Sequence, residues 1–231
     1  MRYLRHPYVK QLARNRYKLL VGSLLVLVLG SGFAPASADP RLFAALLLQN
    51  MLVGVLVFWE ERPWLLLASL LAVLGLEVAA QLWGWATVRA YTGAAYSVFC
   101  FSITARIFRK VLAPSRVTTE LLAATMCGFV LLGMVGTFVF VIIDVMQPGA
   151  FANVGQGAGN VQSLNYFSFI TLLTVGYGDI VPLSNVARKA TILLGLLGHF
   201  YDVFVISVIV GKYLGGASSA AAPPRYLPTM T

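Results

Sequence analysis

Long apolar runs, repeated along the whole chain, constrain this sequence more than any other feature. Stretches of roughly the 20 residues needed to cross a bilayer lie at 17–34, 41–59, 64–86, 88–112, 119–147 and 189–214, with a shorter apolar run at 163–173. Hydrophobic residues make up 59% of the 231 positions and charged residues only 11%, too little polar surface to coat a water-soluble globule of this size. Six spans and one half-span follow, so the chain is expected to be an all-α membrane protein and not a soluble enzyme. Proline and charge separate the spans at Pro35 and Pro40, at Glu60-Glu61-Arg62-Pro63 and at Pro114-Ser115. Cys100 and Cys127 both fall inside apolar stretches and suggest neither a metal cluster nor a disulfide framework. With no phosphate-binding glycine loop, zinc spacing or nucleophile–base pair, neither catalysis nor a cofactor is expected.

The basic residues orient the spans. The formal charge is +9, from 17 Lys and Arg against 8 Asp and Glu. With a cytoplasmic amino terminus, the inner side holds Arg2, Arg5, Lys10, Arg14, Arg16, Lys18, Arg62, Arg106, Arg109, Lys110, Arg116, Lys212 and Arg225. Only Arg41, Arg89, Arg188 and Lys189 remain outside, which predicts both termini in the cytoplasm of a multi-pass protein of the plasma (cell inner) membrane. Nucleic acid is a poor partner, because these charges are scattered over several ends with no groove of stacking aromatics. Residues 1–38 also carry the marks of a secretory signal, with Ala36-Ser37-Ala38 as the cleavage site; retention of the first span is preferred, because the basic region is long and the apolar run continues past Gly32. Either way the downstream orientation is the same.

Between the last two long spans the composition changes. Gln147-Pro148-Gly149 and a glycine-rich stretch to Gly159 precede the short apolar run, which ends in Thr174-Val175-Gly176-Tyr177-Gly178-Asp179. A half-span with a return loop is tolerated in a bilayer only where its backbone is buried in protein or faces water, so this segment is expected to be re-entrant. Gly176 and Gly178 permit backbone angles that other residues resist, so successive carbonyls can point toward a common axis, and the Thr174 hydroxyl adds another oxygen. One chain supplies a quarter of each oxygen ring, which calls for four copies.

The run Thr171-Leu172-Leu173-Thr174-Val175-Gly176-Tyr177-Gly178-Asp179, followed by Pro182, resembles the potassium channel superfamily. Thr174 to Gly178 repeat the filter pentapeptide that serves as the general example of potassium coordination by carbonyls. More loosely, the resemblance covers 119–214 and implies an outer helix (119–147), a turret (148–162), a pore helix (163–173), a filter (174–178) and an inner helix (189–214). It implies a homotetramer in the lipid bilayer with K+ held at Thr174, Val175, Gly176 and Tyr177. Asp179, Thr171, Tyr166 and Phe167 would support the filter, and Gly198 falls at the inner-helix hinge. Ile170 departs from the pattern, since some bacterial members carry there a glutamate that pairs with the aspartate after the filter; Asp179 must find another partner.

The preceding segment 17–112 would form a four-helix, sensor-like domain, joined by a cytoplasmic linker (113–118), with a basic start (1–16) and a disordered tail (215–231) at the two ends. A voltage sensor needs several cations within the field, because each charge moved through 100 mV contributes only about 2.3 kcal/mol. Nothing cationic lies between Arg89 and Arg106, about 24 Å of helix. Weak or absent voltage dependence is therefore expected; a voltage-gated channel with a reduced sensor and an accessory subunit of another channel are the alternatives. Asp202 is a cavity candidate, with His199 and Ile206 near its face, and four such carboxylates would bind internal Mg2+ or polyamines; a structural pair with His199 or Tyr201 fits equally well. His199 is a candidate pH-responsive group, with a packing role as its alternative. Glu77 with Gln81, and Gln49 with Asn50, are read first as polar joints between helices. Asp144 is placed to hold the turret or attract cations.

Overall fold

The computed structural model describes residues 16–30, 39–58, 64–83, 88–112, 118–155 and 158–220, with backbone alone at some helical positions among them. The basic start to position 15, the stretch 31–38 on which the signal reading turns, the linker residues 113–117 and the last eleven positions lie outside them. The regular structure of the described residues is helical apart from one two-residue strand pair. Its elements are α1 (Arg16–Gly30), α2 (Asp39–Val57), α3 (Trp64–Trp83), α4 (Val88–Leu112), α5 (Thr119–Met146), β1 (Phe151–Ala152), α6 (Ala158–Leu172), β2 (Val181–Pro182) and α7 (Asn185–Ala220). Among the described residues, two helices are long and apolar enough to cross a membrane: α5, and α7 from Asn185 to Lys212.

The first four helices each bury one stripe. In α1, Tyr17, Leu20, Leu24 and Leu27 follow one another at three- and four-residue intervals, the spacing of a single helical face. Leu66, Leu70 and Val73 do the same in α3, and Tyr96, Phe99, Cys100, Ile103 and Ile107 in α4. Where α2 meets α4, Gly54 makes room: a Cβ there would come within 2.6 Å of the Phe99 ring and 2.7 Å of Ile103. One apolar core joins these stripes to α5 between Leu121 and Phe138.

A polar joint sits inside that core. Asn50 is fully buried and donates from Nδ2 to Ser23 Oγ at 3.1 Å, while the Tyr96 hydroxyl donates to Asn50 Oδ1 at 2.8 Å. α1, α2 and α4 are thus tied at one point, and the Tyr96 ring packs 4.7 Å from Phe138 of α5. Gln49 reaches the same serine at 3.5 Å. The joint expected at Gln49 and Asn50 therefore forms with Ser23 and Tyr96; the side chains of Glu77 and Gln81 lie outside the described set. Tyr96→Phe removes the donor to Asn50 but keeps the ring packing. It is expected to lower unfolding stability in micelles by about 1 kcal/mol, within the range of interhelical bonds in membranes; an unchanged denaturation midpoint would show the bond to be dispensable.

α5 is the central element, since α1, α4, α6 and α7 all pack on it. Thr118 caps it, its hydroxyl accepting from Leu121 N at 3.2 Å, and Glu120 complements the positive first turn. Toward its other end, Phe140, Val141 and Ile143 enter a second core with Phe151, Leu164, Phe167, Ile170 and Leu194. The helix stops at Gln147, before Pro148 and Gly149, whose φ of +83° turns the chain back.

Three boundaries differ from the sequence expectation. α6 begins at Ala158, five residues before the apolar run, because its polar first turns are bonded: Asn160 Nδ2 donates to the Asp144 carboxylate. The turret is shorter to match. α7 begins at Asn185 instead of 189, since Ser184 Oγ caps it by accepting from Ala187 N at 3.1 Å. It also runs through to Ala220, so 215–220, assigned to a disordered tail, are helical; two glycines there disfavour helix, but no proline stands before the pair at 223–224 to stop it.

Candidate ion-conduction site

The loop after α6 is placed from three sides. Below it, α6 is fixed on α5 by close approach: Ser168 Oγ donates to Gly133 O at 2.7 Å, and Thr137 Oγ donates to the same carbonyl at 2.9 Å and lies 3.1 Å from Asn165 Oδ1. Gly133 and Gly136 allow this contact, since a Cβ on Gly136 would fall 2.5 Å from both Ser168 Oγ and Leu194. On the far side, β1 pairs antiparallel with β2, Phe151 opposite Pro182 and Ala152 opposite Val181. Leu183 N adds a bond to Ala150 O at 2.8 Å. Asn153, itself at φ +60°, donates from Nδ2 to Asp179 O at 2.8 Å.

Within the loop, donors and acceptors are sorted. Thr174 N bonds Thr171 O at 3.1 Å, while Val175 N and Gly176 N share Ile170 O at 2.9 and 3.2 Å. The amides at the start of the loop are thus turned toward the end of α6. Among the described residues no hydrogen bond reaches the carbonyls of Thr174, Val175, Gly176, Tyr177 or Gly178, and all five residues are exposed. Backbone handedness alternates along them, with φ +57° at Thr174, +56° at Gly176 and +79° at Gly178. These same three residues line one side of an open groove of about 350 Å³, with Phe167, Ile170 and Thr171 among its other walls. Carbonyls without protein donors are satisfied in a membrane only by water or a ligand, so five in succession at an open loop call for one or the other.

Asp179 has the partner that Ile170 denies it. The Tyr166 phenol lies close enough to interact with its carboxylate. Phe167 is buried against Phe140 and Phe151, with ring centroids 5.1 and 5.7 Å away. Tyr166→Phe removes the hydroxyl while keeping the ring. A several-fold faster decay of ion flux after activation is expected, and an unchanged time course would rule out bracing by this contact.

Along α7, Gly198 abuts the end of α6: a Cβ there would lie 2.8 Å from Leu172 O. Three residues on, the buried Tyr201 hydroxyl donates to Thr125 O at 2.6 Å, passing over Gly128. Phe108 of α4 lies against this region, 6.2 Å from Tyr201 and 5.6 Å from Phe204. His199 and Asp202 are exposed, and Asp202 lines an open groove of about 240 Å³ with Thr125, Met126, Phe129 and Val130. The Ile206 side chain is outside the described set. Asn153, in the turret, was not singled out by sequence, and Tyr201, weighed there only as a partner for Asp202, gives its hydroxyl to Thr125 O instead.

A family model described as ion channel matches residues 129–214, from within α5 to beyond Lys212 on α7. No curated protein and no solved structure matches the chain. The matched stretch contains the loop, the helix it hangs from and most of the two long apolar helices on either side. The match supports an ion channel family, and the mostly helical described chain with its two long apolar helices fits an all-α membrane channel.

Proposed function

We propose that four copies of this chain surround one axis and form a potassium-selective channel, conducting passively through Thr174 to Gly178. The observation that carries this reading is the run of five exposed carbonyls free of protein donors, in a backbone whose handedness alternates. Oxygens in that arrangement replace the hydration shell of K+, and four chains complete each ring. Two features support the fourfold assembly. α7 leaves Leu193, Leu196, Leu197, Phe200 and Val203 uncovered, and the Tyr177 ring is 73% exposed beside a groove walled by Phe167 and Thr171 that suits a neighbour's aromatic ring. Thr171, Tyr166, Phe167 and Asp179 hold the filter, and Gly198 is the hinge.

In the proposal, α1 to α4 form a sensor-like domain without a cationic ladder, so opening depends weakly or not at all on voltage. Asp202, four residues past Gly198, supplies a carboxylate ring that attracts cations and is blocked by internal Mg2+ or polyamines. The protein works in the plasma (cell inner) membrane with both termini cytoplasmic. Purified protein in liposomes tests this: K+ efflux down its gradient with little Na+ flux is expected from this chain alone. Equal Na+ permeation defeats the reading, and silence until another subunit is added assigns an accessory role.

A further inference from the structure

Among the described residues, the five carbonyls from Thr174 to Gly178 meet no donor, and the next one does. Asn153 Nδ2 donates to Asp179 O at 2.8 Å, reaching across from the turret. The run of unbonded oxygens stops where this bond begins.

Asn153 is brought to that place by contacts that do not involve the filter. Phe151, two residues before it, is buried, with its ring 5.4 Å from Phe140 on α5 and 5.7 Å from Phe167 on α6. Ala150 O accepts from Leu183 N at 2.8 Å and from Ser184 N at 3.3 Å. Between these anchors, Phe151 and Ala152 pair with Pro182 and Val181, and one further step of the antiparallel register would set Asn153 opposite Ile180. Instead a φ of +60° turns its backbone out of the ladder, and the side-chain amide becomes the donor to the returning chain.

Two demands select the residue type. A φ of +60° lies in the left-handed basin, which glycine enters freely and Asn and Asp enter more readily than other L-residues. Of these three, only asparagine carries a side-chain N–H; glycine has no side chain, and an ionised aspartate can only accept. Among the described residues, the one other non-glycine with positive φ is Thr174, in the filter loop itself. Such backbone costs free energy and persists where its surroundings fix it, as the buried Phe151 and the strand pair do here.

We propose that Asn153 is a positioning residue for conduction: by holding the Asp179 carbonyl against the turret, it keeps the neighbouring Gly178 carbonyl in its ion-binding orientation. This rests on the channel reading. Gly178, at φ +79°, has no side chain to resist rotation. Asp179 beyond it is approached from two sides, its carboxylate by the Tyr166 phenol and its carbonyl by Asn153. Without the amide donor the Asp179 backbone is free to turn, and a Gly178 carbonyl that turns with it is lost from the outermost ring. A K+ ion in that ring opposes the turn, since a ligand favours the state that binds it. Asn153 itself touches no ion and acts through Asp179.

The test records single channels of the full chain in planar bilayers at fixed voltage, with low and then high K+ on the outer side. Asn153→Gly keeps the left-handed backbone and removes the donor. Its conducting bursts are expected to be several-fold shorter than those of the wild type at low outer K+, and to lengthen toward them as outer K+ is raised. A role in folding alone would lower the number of channels and leave burst length unchanged. Asn153→Asp keeps the size as well. It should match N153G near neutral pH, where its carboxylate cannot donate, and regain long bursts at about pH 4 or below, where a protonated carboxyl can. Asp144, Asp179, Tyr166 and Tyr177 are common to all three proteins, so wild type and N153G at the same pH supply the baseline. Bursts of N153G as long as wild type at low outer K+, shortening that outer K+ does not relieve, or an N153D that recovers no more than N153G in acid each overturn the positioning role while K+ selectivity stands. Wild-type channels that pass Na+ as readily as K+, or no current from this chain, defeat the channel reading instead.

Discussion

Gly178→Ala is expected to abolish potassium flux while leaving a folded, membrane-inserted protein. The φ at this position is +79°, beyond the narrow left-handed basin near +50° to +70° that L-residues use. Holding alanine there costs roughly 1–2 kcal/mol per chain. Four chains in one ring would bring that to about 4–8 kcal/mol. At about 1.4 kcal/mol per factor of ten, the conducting arrangement becomes roughly a thousandfold rarer or worse. Space is not the obstacle, since nothing lies within 4 Å of the added Cβ; the strain is purely of the backbone. Gly75→Ala in α3, where the new methyl also meets nothing within 4 Å and φ is not positive, is the control and should conduct normally. Comparable flux from the two variants would mean that the handedness of the loop has no part in conduction. Thr174 already tolerates φ +57°, so this segment carries one such penalty before any substitution.

Gly136→Val should markedly destabilise the pore half. Its Cβ would fall 2.5 Å from both Leu194 on α7 and Ser168 on α6, so the new side chain presses on two helices at once. Overpacking of this kind typically costs about 1–3 kcal/mol. Displacing Ser168 also threatens its 2.7 Å bond to Gly133 O. Thermal unfolding followed in detergent is expected to drop by about 10 °C, at about 2–4 °C per kcal/mol for a chain of this length. Leu194→Ala in the same molecule opens space on one side and should restore part of the loss, a coupling read from the four-variant cycle. An unaltered melting temperature in the single variant would mean that α5, α6 and α7 are not in contact as described.

Much of this architecture could be read from the order of residues, for physical reasons that differ by element. Long apolar runs interrupted by proline and charge mark helices at one-residue resolution in places, as at Thr118, whose hydroxyl followed by Glu120 signals the start of α5. The loop at Thr174 to Asp179 was legible because glycine at alternate positions in an apolar setting has few other uses. The start of α6 was not, because Asn160, Gln162 and Ser163 carry no apolar signal and are held by contacts with distant chain. The start of α7 at Asn185 was not read either, because Arg188 and Lys189 break the apolar run there while Ser184 caps the helix. The partner of Asp179 was unreadable in principle: the absence of an acid at Ile170 announced a vacancy, but Tyr166 fills it through the geometry of one helical turn and a returning loop. Likewise Asn50 declares a need for partners, and only folding selects Ser23 and Tyr96.

α5 serves both apolar cores, one along its first twenty residues with α1 to α4 and the other near its end with α6 and α7. The seam between the amino-terminal helices and the conducting half is consequently a surface running lengthwise down one rod, and not a cut across the chain at 113–117. Chimeras spliced in that linker would inherit a mismatched flank on α5, so an exchange of modules must transplant its Leu121, Ala124, Leu131 and Phe138 stripe together with the four helices that lean on it.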